Sequence, residues 1–152
     1  MKRAIFTVMM SFGLTGIALA QEAPPPCGPA GALPAGLSGN VAADSRCFEL
    51  RMYTAEPVRD GKGGIDNLHQ RFREKEVQIF ENHGAEVIAV WQKLDDPNTL
   101  VWMLAYRDRA HREEVWAAFR TDPEWAALRQ KYEVPIEVNV FMMSATDYSA
   151  LK

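Results

Sequence analysis

The chain has 152 residues, enough for one domain, with an ordinary globular composition and a net charge of −3 at pH 7. The charge is mild and no basic patch or nucleic-acid motif stands out, which argues against a nucleic-acid partner. Three histidines, two distant cysteines and the lack of HExxH, a paired CxxC or a nucleophile elbow give no support to a metal site or a serine-type triad.

Lys2-Arg3 precedes an apolar run from Ala4 to Leu19 that closes on Ala18-Leu19-Ala20. A basic start, an apolar middle and a small-x-small end describe a secretory signal, expected over 1–20 and cut before Gln21. The run is short for a span of about 20 apolar residues, and Ser11, Gly13, Thr15 and Gly16 interrupt it. The expectation is therefore export, periplasmic or secreted, with no stable membrane span after cleavage. Residues 21–46 read as a disordered Pro/Gly/Ala-rich linker, because such a stretch buries too little apolar area to offset its ordering entropy. An oxidising compartment permits a disulfide between Cys27 and Cys47, within one chain or between two.

The domain is expected over 47–152. Phe48 to Thr54 alternates as a first strand, with Phe48, Leu50 and Met52 on one face and Glu49, Arg51 and Tyr53 on the other. A mobile loop from Glu56 to Gly64 follows; its glycines fit neither phosphate-binding fingerprint. Ile65, Leu68, His69, Phe72, Glu76, Ile79, Phe80 and His83 recur at helical spacing over 65–83, with Arg71 on the wet side and Gly84 as the cap. A second strand over 85–93 turns through Asp95-Asp96-Pro97-Asn98 into Leu100 to Tyr106, apolar on both faces. Asp108 caps a helix carrying Val115, Trp116 and Phe119. Asp122-Pro123 restarts it with Trp125, Leu128 and Tyr132, and Pro135 ends it. Val138 to Ser144 is the fourth strand.

This order predicts an α+β, ferredoxin-like βαββαβ domain with a four-stranded antiparallel sheet and two helices on one face. Helices about 10 Å across cover one side of such a sheet and leave the other apolar. A second copy, packed sheet against sheet as a homodimer, is the expected cover.

Several blocks stand together in order: Phe48-Glu49-Leu50-Arg51-Met52-Tyr53-Thr54, Phe80-Glu81-Asn82-His83-Gly84, Leu94-Asp95-Asp96-Pro97-Asn98-Thr99-Leu100-Val101-Trp102, Asp122-Pro123-Glu124-Trp125 and Thr146-Asp147-Tyr148-Ser149. Through them the chain resembles the NIPSNAP family from about Cys47 to Leu151. The resemblance implies a dimeric α+β barrel, related in fold to the antibiotic-biosynthesis monooxygenases and their haem-degrading relatives, and implies no settled activity. Lys75 stands where many relatives carry a histidine.

The candidate ligand-binding residues are Arg51, Tyr53, His69, Phe72, Trp91, Trp102 and Trp116. Arg51 on a central strand demands an acceptor: a ligand's anion or carbonyl beside Tyr53, or an ion pair with Glu49 or with a residue of a partner chain. His69 on the apolar helix face is a base, an axial haem ligand or a core histidine. The tryptophans line a pocket for a planar apolar ligand or simply fill the core. No catalytic residue is assigned and no motif calls for a cofactor. Two functions stay open: a non-enzymatic homodimer binding a small apolar molecule or a protein partner, and, by fold analogy, a cofactor-free oxygenase or haem-handling enzyme.

Overall fold

The structure, a computed structural model, describes residues 33–152. The expected signal over 1–20, Cys27 and the first part of the linker lie outside the described residues. A helical turn, α1 (Ala35–Ser38), leads to β1 (Cys47–Ala55). The first long helix follows as α2 (Ile65–Arg71), a π-helical turn (Phe72–Glu76) and α3 (Val77–Asn82). Then come β2 (Glu86–Gln92), β3 (Thr99–Tyr106), α4 (Arg109–Thr121), α5 (Pro123–Lys131) and β4 (Ile136–Ser144). The strands form one antiparallel sheet in the order β2-β3-β1-β4, the ferredoxin-like arrangement. Among the described residues no helix is long and apolar enough to cross a membrane.

Local chemistry sets the helix ends. The Asp108 side chain accepts from the His111 amide at 2.8 Å. Asp122 accepts from the amides of Glu124 and Trp125, with Pro123 in the first helical position. Gly84 takes φ +97°, a conformation costly for other residues, and a Cβ there would lie 3.0 Å from His111 Nε2.

Register fixes the two sheet faces. Arg51 lies between Trp102 and Val140, and Glu49 between Leu104 and Met142, so these residues share the helix-facing side. The charged face of β1 is therefore the covered one. Trp102 sits fully buried at its centre, edge-on to Tyr53, Phe72 and Phe80 at centroid distances of 5.5, 5.1 and 5.1 Å. Phe80 stacks on Phe119 at 3.9 Å, which closes the layer between the two helical arms.

Leu50, Met52, Val101, Met103, Ala89, Trp91, Phe141 and Met143 point the other way. One end of that open face is covered from within the chain. Val41 bridges to Thr146, the Ala42 amide donates to Ala145 O at 2.9 Å, and Ala42, Phe48 and Ala145 are buried. Here the linker expectation needs correcting: residues 33–46 carry α1 and this bridge. They dock because the C-terminal segment offers a backbone edge and an apolar bed. On the two edge strands of the open face, Trp91 of β2 and Phe141 of β4 remain about half exposed.

The loop after β1 is built from its own hydrogen bonds. Arg59 and Lys62 exchange both backbone bonds around Asp60-Gly61, which have positive φ. The Gly63 amide donates to Glu133 O and the Gly64 amide to Glu56 O. Backbone donors that a phosphate would use are already engaged.

Candidate functional site

Two buried carboxylates organise the layer between helices and sheet. Glu49, the third residue of β1, is fully buried. Arg112 of α4 donates to it through Nε at 2.8 Å and through a terminal nitrogen at 3.0 Å. The Trp116 indole donates at 3.1 Å, the Tyr106 hydroxyl at 3.2 Å, and Arg51 pairs with its other oxygen. Burial alone pushes the Glu49 carboxyl up; the Arg112 hydrogen bonds and the charges of Arg51 and Arg112 outweigh it and hold the group below its ordinary range. Arg51 also donates from Nε to the Tyr53 hydroxyl at 2.9 Å, and its guanidinium lies 4.3 Å from the Trp116 ring centroid.

The second carboxylate is Glu76, at the end of the π-helical turn. Residues five apart in a regular 3.6-residue helix are about 140° apart and do not meet. The wider turn brings Arg71 and Glu76 together, Nε to Oε2 at 2.6 Å, with both side chains almost wholly buried. Arg71 was expected on the wet side, and the inserted turn is the reason it is not. Burial raises the Glu76 carboxyl above its ordinary range against the pull of Arg71 and then Arg51. The Arg71 guanidinium lies 5.2 Å from the Trp125 ring centroid.

Arg71 and Glu76 line a cleft of about 650 Å³ with Tyr53, Phe119, Trp125 and Ile136 on its walls. Arg129, Glu133 and Pro135 stand among its other lining groups. Burial pushes the Tyr53 phenol well above its usual range, so Tyr53 stays a protonated donor. Aromatic walls with a few fixed polar groups suit a small organic ligand.

The residues expected to bind ligand do not all meet here. Tyr53 lines the cleft, and Arg51 lies behind it, tied to its hydroxyl. Phe72, Trp102 and Trp116 are buried core residues in ring contact with their neighbours. Trp91 lies on the open face of the sheet. His69 reaches the opposite edge, where its Nε2 meets Gln92 Oε1 at 2.8 Å. His83 bonds Asp122 at 2.7 Å, and His111 Nδ1 accepts from the Arg107 amide at 3.2 Å. Lys75 is exposed and paired with Glu124. Cys47 is buried and disulfide-bonded; Cys27 lies outside the described residues. The sequence reading missed Arg71 as a cleft residue and weighed Trp125 only together with the other tryptophans, as pocket lining or core. The opposite charges at spacing five, Arg71 and Glu76, were the available signal.

Fold and site together define a ferredoxin-like α+β domain with a cleft between its helices and the β1–β4 side of its sheet. The NIPSNAP family model matches residues 48–150, and the chain belongs to that family. Solved structures agree on the fold. A NIPSNAP family protein with unknown function from Agrobacterium tumefaciens is 20% identical, with a TM-score of 0.63 over 74% of this chain and 99% of that one. A second A. tumefaciens member is 22% identical, with a TM-score of 0.60 over 70% and 99% of the two chains. An uncharacterized NIPSNAP domain protein from Burkholderia xenovorans is 18% identical, with a TM-score of 0.56 over 68% and 97%. The comparison with curated proteins found no match.

Proposed function

We propose that this chain is an exported, homodimeric NIPSNAP-type binding domain that holds a small, flat, apolar or aromatic molecule in the cleft beside Trp125. The observation that carries this reading is the cleft itself: about 650 Å³, walled by Tyr53, Phe119 and Trp125, with a buried ion pair among its lining groups. The alternative, a cofactor-free oxygenase or haem-handling enzyme, has less support, because none of the chain's three histidines lines this cleft. Titration calorimetry with haemin, a quinol and flat aromatic compounds tests the choice. Binding weakened at least tenfold by Trp125→Ala and untouched by His69→Ala is expected. Equal binding by both variants and the parent overturns the cleft assignment.

The dimer rests on the open sheet face, where Leu50, Met52, Val101 and Met103 lie between the exposed Trp91 and Phe141. A monomer rarely leaves so continuous an apolar surface in water. Sedimentation at micromolar concentration is expected to report a dimer, and Phe141→Glu a folded monomer. A parent that sediments as a monomer removes the dimer. Export is supported by the Lys2-Arg3 start, the run to Leu19 and the disulfide-bonded state of Cys47. N-terminal sequencing of the mature protein is expected to begin at Gln21.

A further inference from the structure

The polar groups of the cleft are unevenly used. Arg71 is 3% exposed, and its Nε is bonded to Glu76. A guanidinium is a planar fork with five N–H donors, so that bond leaves four. Among the described residues, the two terminal nitrogens of Arg71 have no hydrogen-bond partner. Tyr53, 5% exposed, accepts from Arg51 Nε, and its own hydroxyl proton has no acceptor among the described residues. Both residues line the same cleft. These donors open onto the cleft, where a ligand's oxygens can accept from them.

The remaining charges of the cleft favour an anion. Arg129 has no ion pair among the described residues, whereas the Glu133 carboxylate is held by Lys62 at 2.9 Å. Glu76 is the opposing charge: Arg71 holds its Oε2, and its Oε1 has no donor among the described residues. The lining carries two guanidiniums and two carboxylates, and Lys62, paired with Glu133 at the rim, tips the balance to one net positive charge beside a neutral phenol and aromatic sides.

Resting on the binding reading above, we infer that the cleft selects a small carboxylate with a flat apolar body. Its carboxylate accepts from the terminal nitrogens of Arg71 and from the Tyr53 hydroxyl, and its body lies against Trp125 and Ile136. The fork of an arginine matches the two oxygens of a carboxylate, which a neutral amide imitates poorly.

The test uses three probes with one body: 2-naphthoate, 2-naphthamide and 2-naphthylmethylammonium, titrated by calorimetry into the full mature protein. 2-Naphthoate is expected to bind at least tenfold more tightly than the amide, and the ammonium most weakly. Tyr53→Phe keeps the ring and is expected to reduce the acid-to-amide ratio severalfold. Arg71→Met with Glu76→Met removes the pair as a unit, so no buried carboxylate is stranded, and is expected to abolish the ratio. Equal binding of acid and amide that still falls in Trp125→Ala overturns the carboxylate while leaving the cleft in place. So does a preference for the ammonium, which would make Glu76 the dominant group. Binding of no probe overturns both readings.

Discussion

Glu49 and Glu76 are both buried under the helices, yet their surroundings differ. Glu49 is served by Arg51, Arg112, Tyr106 and Trp116, from two strands and one helix. Among the described residues, Glu76 is served by Arg71 alone. The first is a finished network that ties α4 to the sheet; the second leaves donors beside a cleft. A saturated buried charge is a structural joint, and a half-saturated one at a cavity is a place for a ligand. Direction of titration separates them as well, since Glu49 lies below its ordinary value of 4.5 and Glu76 above it.

The largest expected effect comes from breaking the finished side. Glu49→Ala strands Arg51 and Arg112 together and is expected to lower stability by about 3–5 kcal/mol in chemical denaturation. Glu76→Gln keeps an acceptor for Arg71 and removes a desolvated charge, so its loss is expected to be about 1–2 kcal/mol. A larger loss for Glu76→Gln than for Glu49→Ala would reverse the comparison.

The pH dependences should run in opposite senses. Glu49, with its lowered folded value, contributes stability that is complete above about 4.5 and fades as acid carries the pH down through that folded value. Glu76 is the mirror case: it is neutral and harmless below 4.5, and its penalty grows as the pH rises from there to its raised folded value. Denaturation of the two Gln variants from acid to neutral pH is the check. Glu49→Gln is expected to flatten the loss in acid, and Glu76→Gln to flatten the decline above 4.5.

The smallest expected effect reaches the finished network from outside. Gly84→Ala places a Cβ 3.0 Å from His111 Nε2, and the His111 ring packs edge-on to Tyr106 at 6.2 Å, one of the donors to Glu49. Together with the positive φ, this is expected to cost about 1 kcal/mol, read as a lowered midpoint without loss of ligand binding at the distant cleft.

Much of the fold was legible because its signals are local. The Asp108 and Asp122 caps, Pro123 and the strand periods depend on neighbours a few residues away, and all stand where the pattern put them. The cleft was less legible. Tyr53 was singled out and Trp125 was weighed with the other tryptophans, but Arg71 was not, because the π-helical turn leaves no periodic mark. Nor did the aromatic residues declare their places: Trp102 fills the core, while Trp91, as apolar, faces away from it.

By itself the sequence determined the order and alternation of the four strands and the long helices between them, since backbone periodicity and capping chemistry are written residue by residue. It left open which face of β1 would be covered, and Phe48, Leu50 and Met52 make as plausible an inner face as Glu49, Arg51 and Tyr53. Only the tertiary structure decided that, because Arg112 and Trp116, more than 60 positions away, supply the donors that make a buried Glu49 tolerable.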